Sequence, residues 1–142
     1  YFAPGAELPR AATAEGERRP PQLRWRGAPA ETRSFAVVCE DPDAPLPEPF
    51  VHWLVYGVAP TATWLDAGSA SAAGEGTNSP MKIGFAAAAP PPGHGRHHYH
   101  FQVFALSEPI ELARGAGRSE VLDALRGHVV AWGDLVGTYE RT

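Results

Sequence analysis

A loop and a strand meet at residues 89–101, which read Ala-Pro-Pro-Pro-Gly-His-Gly-Arg-His-His-Tyr-His-Phe. The prolines and glycines indicate a turn-rich loop, and the aromatic residues that follow favour an extended strand. Side chains alternate between the two faces of a strand. We therefore expect His97 and Tyr99 to point to one face, and His98 and His100 to point to the other. The stretch predicts one wall of a binding site.

Short apolar segments bounded by Pro, Gly or Asp predict the rest of the fold. Fifteen glycines and fifteen prolines separate these segments as turns and do not collect in a low-complexity tract. Residues 1–142 are therefore predicted to form a single mainly β domain, an antiparallel β-sandwich with a C-terminal helix. The predicted strands cover residues 22–25, 34–40, 50–58, 97–106 and 136–141.

The predicted helix covers residues 118–132. Its apolar face repeats at intervals of three and four residues. Ser119 is the expected cap, Gly133 the expected stop, and His128 an expected helix core residue. The residues on the buried face are Val121, Leu125, His128, Val129 and Trp132.

Composition excludes several classes of protein. The net charge is −4 and Lys82 is the only lysine, so no basic stripe is available for nucleic acid. Cys39 is the only cysteine, which excludes an intrachain disulfide and favours a buried thiol. No apolar run approaches the ~20 residues of a transmembrane helix. We expect a cytoplasmic location, with the periplasm and secretion left open.

Two carboxylates follow the strand that ends near residue 40. Asp41 and Asp43 lie in the sequence Asp-Pro-Asp-Ala-Pro. The prolines cannot donate to a strand ladder and stiffen the backbone, so both carboxylates are expected in a rigid turn. The alternative is that they only make local turn hydrogen bonds to the backbone.

The next apolar segment contains one ionisable residue, His52, between Val51 and Trp53. A buried imidazole is unfavourable without a hydrogen-bond partner, and Asp41 or Asp43 is the expected partner. Strict alternation would place His52 on the same face as Leu54 and Tyr56. The alternative is a core histidine without a ligand.

The order of these motifs resembles the phosphatidylethanolamine-binding protein family, most closely its bacterial branch of Raf-kinase-inhibitor-like proteins. The resemblance spans nearly the whole chain. Its most specific elements are Asp-Pro-Asp-Ala-Pro at 41–45, Val-His-Trp-Leu-Val at 51–55 and Pro-Pro-Pro-Gly-His-Gly-Arg-His-His-Tyr at 90–99.

The resemblance implies a large antiparallel sheet packed on a smaller one, with an anion pocket at one end. It implies a non-enzymatic protein without a cofactor that binds phosphate, acetate or a phosphoethanolamine head group, and that has a kinase or protease partner. The ligand-binding residues that it implies are Asp41, Asp43, Ala44, Pro45, His52, Pro90, Pro91, His97 and Tyr99.

Two departures from the family pattern concern the pocket. Residues 86–89 are alanines where a Gly-Pro sequence is common, and Phe85 replaces a frequent tyrosine. We expect a different loop path and one hydroxyl fewer. The sequence also ends just past Tyr139, without the C-terminal helix that covers the pocket mouth in eukaryotic relatives, so we expect a shallow, open pocket. Tyr139 is not expected to be a ligand residue.

The resulting hypothesis is that His52, His97 and the Tyr99 hydroxyl donate hydrogen bonds to an oxyanion. A carboxylate of the first motif would orient one imidazole and favour its charged form. Anion affinity would then weaken as pH rises.

Two alternatives come from other classes of protein. A metal-dependent enzyme would use His94, His98 and His100 as ligands. A structural or homodimeric module would use exposed tryptophans as contact anchors. The candidate anchors are Trp53, Trp64 and Trp132.

Overall fold

Six strands and two helices form the domain in the computed structural model, which describes residues 2–142. A short 3-10 turn at Arg10–Ala12 precedes them. The mainly β fold with two sheets is confirmed. The elements are β1 (Leu23–Arg24), β2 (Ser34–Asp41), β3 (Phe50–Val58), β4 (Trp64–Leu65), α1 (Ala67–Ala73), β5 (His97–Leu106), α2 (Arg118–Leu125) and β6 (Val129–Tyr139).

The large sheet is antiparallel and has the strand order β3-β2-β5-β6, whereas β1 and β4 form a separate pair. One face of the large sheet, here the small-sheet face, packs against Leu23 of β1 and Leu65 of β4. The opposite face, here the α2 face, packs against Val121 and Leu125. Nearly continuous runs of buried residues in β2 and β3 explain why both faces are covered.

A β-bulge in β3 changes the expected direction of His52. Cys39 pairs with Trp53 and Glu40 pairs with Val51, so His52 is the extra residue between them. An extra residue of this kind lets two consecutive side chains share a face. Trp53 belongs to the small-sheet core and His52 also turns to that side, where its ring lies 5.1 Å from that of Tyr99.

The expectation that His52 shares a face with Leu54 and Tyr56 is therefore wrong. Those two side chains belong to the core on the α2 face. Alternation failed because it assumes a regular strand, and no residue type in this segment marks the bulge.

The predicted helix ends early. It covers Arg118–Leu125, and residues 129–132 are the start of β6. Gly127 adopts φ +82, which stops the helix. His128 lies in the turn and is not a helix core residue, and Gly133 pairs with Val103 inside β6 and does not end an element.

The cap of α2 also differs from the expectation. Gly117, not Ser119, is the N-cap, and the Glu120 side chain accepts a hydrogen bond from the Gly117 N–H. A carboxylate in the first turn also interacts favourably with the helix dipole.

The burial of three side chains decides which of their expected roles are possible. Cys39 is buried, and burial raises the pKa of its thiol, so it is a core residue. Trp53 is fully buried and is therefore not a surface anchor, whereas Trp132 is 65% exposed.

None of the helices among residues 2–142 has the length and apolar character needed to cross a membrane.

Candidate functional site

A cavity of about 240 Å³ lies at one end of the large sheet. The antiparallel register creates it, because the end of β2 meets the starts of both β3 and β5. All nine predicted ligand-binding residues except Asp43 line it. The lining residues are Asp41, Ala44, Pro45, Leu46, Phe50, His52, Ala87, Ala89, Pro90, Pro91, His97 and Tyr99.

A buried Asp–His pair forms one wall. The Nδ1 atom of His97 lies 2.6 Å from Oδ2 of Asp41, and both side chains are only 3% exposed. The other oxygen, Oδ1, accepts a hydrogen bond of 2.7 Å from the Asp43 backbone N–H. Two hydrogen bonds hold the carboxylate, which in turn fixes the direction of the His97 ring.

His94 extends this pair into a chain of three side chains. Its Nδ1 atom lies 2.7 Å from Nε2 of His97, so one of the two nitrogens donates and the other accepts. Gly93 and Gly95 on either side have φ of +75 and +93, a backbone conformation that glycine adopts without strain. The exposed loop thereby brings an imidazole against His97, which lines the cavity.

His52 forms the opposite wall. Its Nδ1–H donates to the backbone carbonyl of Ala86 at 2.7 Å, so the expected pairing with Asp41 or Asp43 is wrong. The bulge turns the ring away from the carboxylates' oxygens and toward the loop. Burial lowers the pKa of His52, which favours the neutral imidazole. Its ring also lies 4.7 Å from that of Phe50.

The Tyr99 hydroxyl points to the same space. Burial raises the pKa of Tyr99, and the nearby negative charge of Asp41 raises it further. The phenol therefore keeps its proton at neutral pH. Within residues 2–142 no protein group hydrogen-bonds to it, so it is available to donate to a ligand.

Asp43 belongs to a different surface. Its Oδ2 accepts from the backbone N–H of His98 at 2.8 Å and from Nδ1 of the same residue at 2.7 Å. Burial alone would raise the pKa of Asp43, but the hydrogen bonds from His98 outweigh it and lower the pKa. Asp43 was expected to line the pocket, but the structure does not place it there. The side chains of Asp41 and Asp43 point to opposite faces of the sheet.

The three histidines of the metal-enzyme alternative are separated. His94 contacts His97, whereas His98 pairs with Asp43 and His100 pairs with Asp134 at 3.0 Å. In the described part of the chain no cluster of three or more histidine, cysteine or acidic side chains has the arrangement of a metal site.

The alanine loop contributes backbone and small apolar surfaces. The Ala86 carbonyl holds His52, and Phe85 packs edge to face on Trp53 with ring centres 5.7 Å apart. At the rim, Arg141 donates from Nε to the carbonyl of Pro90 at 2.8 Å. Sequence reasoning missed Arg141, because nothing near the chain end signals a contact with a loop fifty residues earlier.

The sequence reasoning also missed four lining residues. Phe50 directly precedes the predicted His52 strand and could have been inferred from its period-two spacing to His52. The other three carry no signal of their own. They are Leu46, Ala87 and Ala89.

Comparison with known proteins identifies the family of the chain. The family model described as phosphatidylethanolamine-binding protein matches residues 1–140. The chain belongs to the phosphatidylethanolamine-binding protein family.

Relatives with this fold occur in archaea and bacteria. A UPF0098 protein of Methanothermobacter thermautotrophicus is 35% identical over 99% of this chain and 95% of the relative. The crystal structure of a putative phosphatidylethanolamine-binding protein homolog from Chlamydia trachomatis has a TM-score of 0.91 at 30% identity, covering 99% of this chain and 94% of that chain. Escherichia coli YbcL, described as a new member of the mammalian family, has a TM-score of 0.91 at 32% identity with the same coverage.

Proposed function

We propose that the cavity at the end of the large sheet binds a small oxyanion, either free phosphate or a phosphorylated head group such as phosphoethanolamine. The observation that carries this proposal is the convergence of Asp41, His97 and Tyr99 on one cavity, with His94 hydrogen-bonded to His97. The cavity volume is below the ~300 Å³ at which drug-sized pockets begin, which suits a ligand of a few heavy atoms.

Two groups donate to the ligand in this proposal. The Tyr99 hydroxyl donates directly, because its proton stays in place at neutral pH. The Nε2 atom of His97 donates to the ligand when the anion displaces His94, while Asp41 keeps the ring oriented throughout. Arg141 adds a positive charge near the rim, where its charge acts on Tyr99.

Binding without catalysis fits the residues that line the cavity. An Asp–His pair can activate a side-chain nucleophile when a serine, threonine, cysteine or lysine lies beside it. The described lining contains none of these. Tyr99 is a poor nucleophile, since its raised pKa keeps the phenol neutral. We therefore propose a binding protein and not an enzyme.

A protein partner of the kinase or protease class is the second part of the proposal. Leu46 lies on the rim and is 54% exposed, and the adjoining turn is rigid because of Pro45 and Pro47. An exposed leucine on a stiff turn is suited to insertion into an apolar pocket of a partner. Leu46→Asp would then abolish partner binding, and because Leu46 also lines the cavity, the added negative charge would weaken anion binding as well.

Calorimetric titration with inorganic phosphate tests the anion site. His97→Ala should weaken binding by at least roughly tenfold, because a charge-assisted hydrogen bond is worth about 1.5–3 kcal/mol. His98→Ala is the matched control, since this neighbouring histidine faces the opposite side of the sheet. Tyr99→Phe removes one oxygen atom without changing the packed ring and should weaken binding several-fold.

Equal losses in His97→Ala and His98→Ala would contradict the proposed site. Full binding by both His97→Ala and Tyr99→Phe would do the same.

A further inference from the structure

The position of one proton on His52 has a consequence for the ligand. Nδ1 lies 2.7 Å from the carbonyl oxygen of Ala86, and a carbonyl can only accept a hydrogen bond. The proton of the neutral ring is therefore on Nδ1, and Nε2 carries a lone pair. In this state the ring cannot donate a second hydrogen bond to an anion.

The Nε2 lone pair faces the cavity. His52 is only 4% exposed and its ring lines the cavity wall. Among residues 2–142 no protein group hydrogen-bonds to Nε2, yet this atom is not one of the fully enclosed polar atoms that lack a partner. The space that it reaches is the cavity itself.

The surroundings of His52 keep the ring neutral near pH 7. Burial is the largest influence and lowers its pKa, and the positive charge that His97 can carry acts in the same direction. The hydrogen bond to Ala86 and the charge of Asp41 oppose this, but the pKa still lies below the ordinary value of 6.5. The remaining neighbour, Tyr99, is uncharged.

We propose that His52 makes the cavity selective for an oxyanion that retains a proton, because such a ligand can donate to Nε2 while it accepts from Tyr99. This inference rests on the proposed function and specifies its ligand. A hydrogen phosphate has the required hydrogen, whereas sulfate and acetate are fully ionised at neutral pH.

Phosphate and sulfate form a matched pair of probes, because they are tetrahedral anions of similar size and differ in whether they hold a proton at pH 7. Calorimetric titration at pH 7 should show that phosphate binds at least roughly tenfold more tightly than sulfate. Sulfate has no hydrogen to donate, so one of its negatively charged oxygens would face the Nε2 lone pair without a hydrogen bond. Acetate should group with sulfate. Equal affinities for phosphate and sulfate would overturn the inference and leave the proposed function intact. Binding of neither anion would overturn both.

Two further measurements assign the selectivity to His52. In His52→Ala the ratio of the two affinities should fall toward one, whereas His100→Ala, on the opposite face, should keep the full ratio. In the unmodified protein, lowering the pH through the lowered pKa of His52 should add a proton to Nε2 and narrow the ratio by strengthening sulfate binding. This second test does not require a folded variant. A ratio that stays constant in His52→Ala and at low pH would overturn the inference, as would NMR nitrogen shifts that place the ring proton on Nε2.

Discussion

Two Asp–His pairs on opposite faces of the sheet have almost the same geometry and different surroundings. Asp41 and His97 are 2.6 Å apart and 3% exposed, whereas Asp43 and His98 are 2.7 Å apart and 39% and 48% exposed. Both aspartates come from one five-residue turn, and both histidines from adjacent positions of β5. Alternation along the strand sends one pair into the cavity and the other into solvent.

The comparison teaches that distance alone does not measure the importance of an ion pair. Solvent screens the outer pair, whose net contribution to stability is expected to be small. The inner pair is shielded, so the loss of either partner leaves the other buried without compensation. An aspartate and a histidine therefore stabilise the site on one face of the sheet, whereas the same two residue types contribute little to stability on the other face.

The most direct way to break the comparison is to remove the inner carboxylate. Asp41→Ala should lower the free energy of unfolding by about 3–5 kcal/mol, because His97 would stay buried without its partner. Urea unfolding followed by tryptophan fluorescence measures this. A loss below about 1 kcal/mol would show that the inner pair behaves like an exposed one.

The pH dependence of stability separates buried from exposed histidines. The pKa of His52 is lowered in the folded state, so the unfolded chain binds the proton first as pH falls. Stability from this group is therefore present above pH 6.5 and is lost as pH falls through that value toward the folded pKa, by at most about 1.4 kcal/mol per pH unit.

Unfolding at several pH values checks this expectation. His52→Gln should remove part of the pH dependence below pH 6.5. An identical pH dependence in the His52 variant and the unmodified protein would contradict the burial argument.

The inner pair differs from the outer one by a third member, His94, and its removal sharpens the comparison. In the unmodified protein, His97 must give up its hydrogen bond to His94, worth about 1 kcal/mol, before it can bind the ligand. His94→Ala removes this cost. Phosphate should then bind several-fold more tightly in a calorimetric titration. Weaker binding would mean that His94 acts on the ligand and is not displaced by it.

The smallest effect is expected at the outer pair. Asp43→Ala should lower the free energy of unfolding by about 0.2–1 kcal/mol at low salt. The loss should be smaller in 1 M NaCl, where the Debye length is only about 3 Å and salt screens the pair. Asp41→Ala at the two salt concentrations is the control, since the buried pair should respond little. A large, salt-independent loss for Asp43→Ala would remove the distinction between the two faces.

Much of this arrangement follows from sequence patterns. The strand bounds at 50–58 and 97–106 agree with β3 and β5, because aromatic and β-branched residues run there between Pro and Gly signals. Alternation of side chains along a strand is enough to predict that His97 and Tyr99 share one face and that His98 and His100 share the other.

The errors have physical causes that local patterns do not contain. A run of apolar residues at 129–132 satisfies both helical and strand spacing, and pairing with β5 decides in favour of a strand. The partner of His52 is a backbone carbonyl thirty-four residues away, and every residue type offers that group. The resemblance to the family implies that both Asp41 and Asp43 bind the ligand, although in the structure the two side chains turn to opposite faces.

The bulge in β3 makes the cavity depend on chain length as well as on residue type. Deleting one residue from the first half of that strand would restore plain alternation and turn the imidazole of His52 toward α2. A single-codon insertion or deletion can therefore create or abolish such a pocket while every remaining residue keeps its identity. Any graft of the site onto another β-scaffold must carry the irregularity with it.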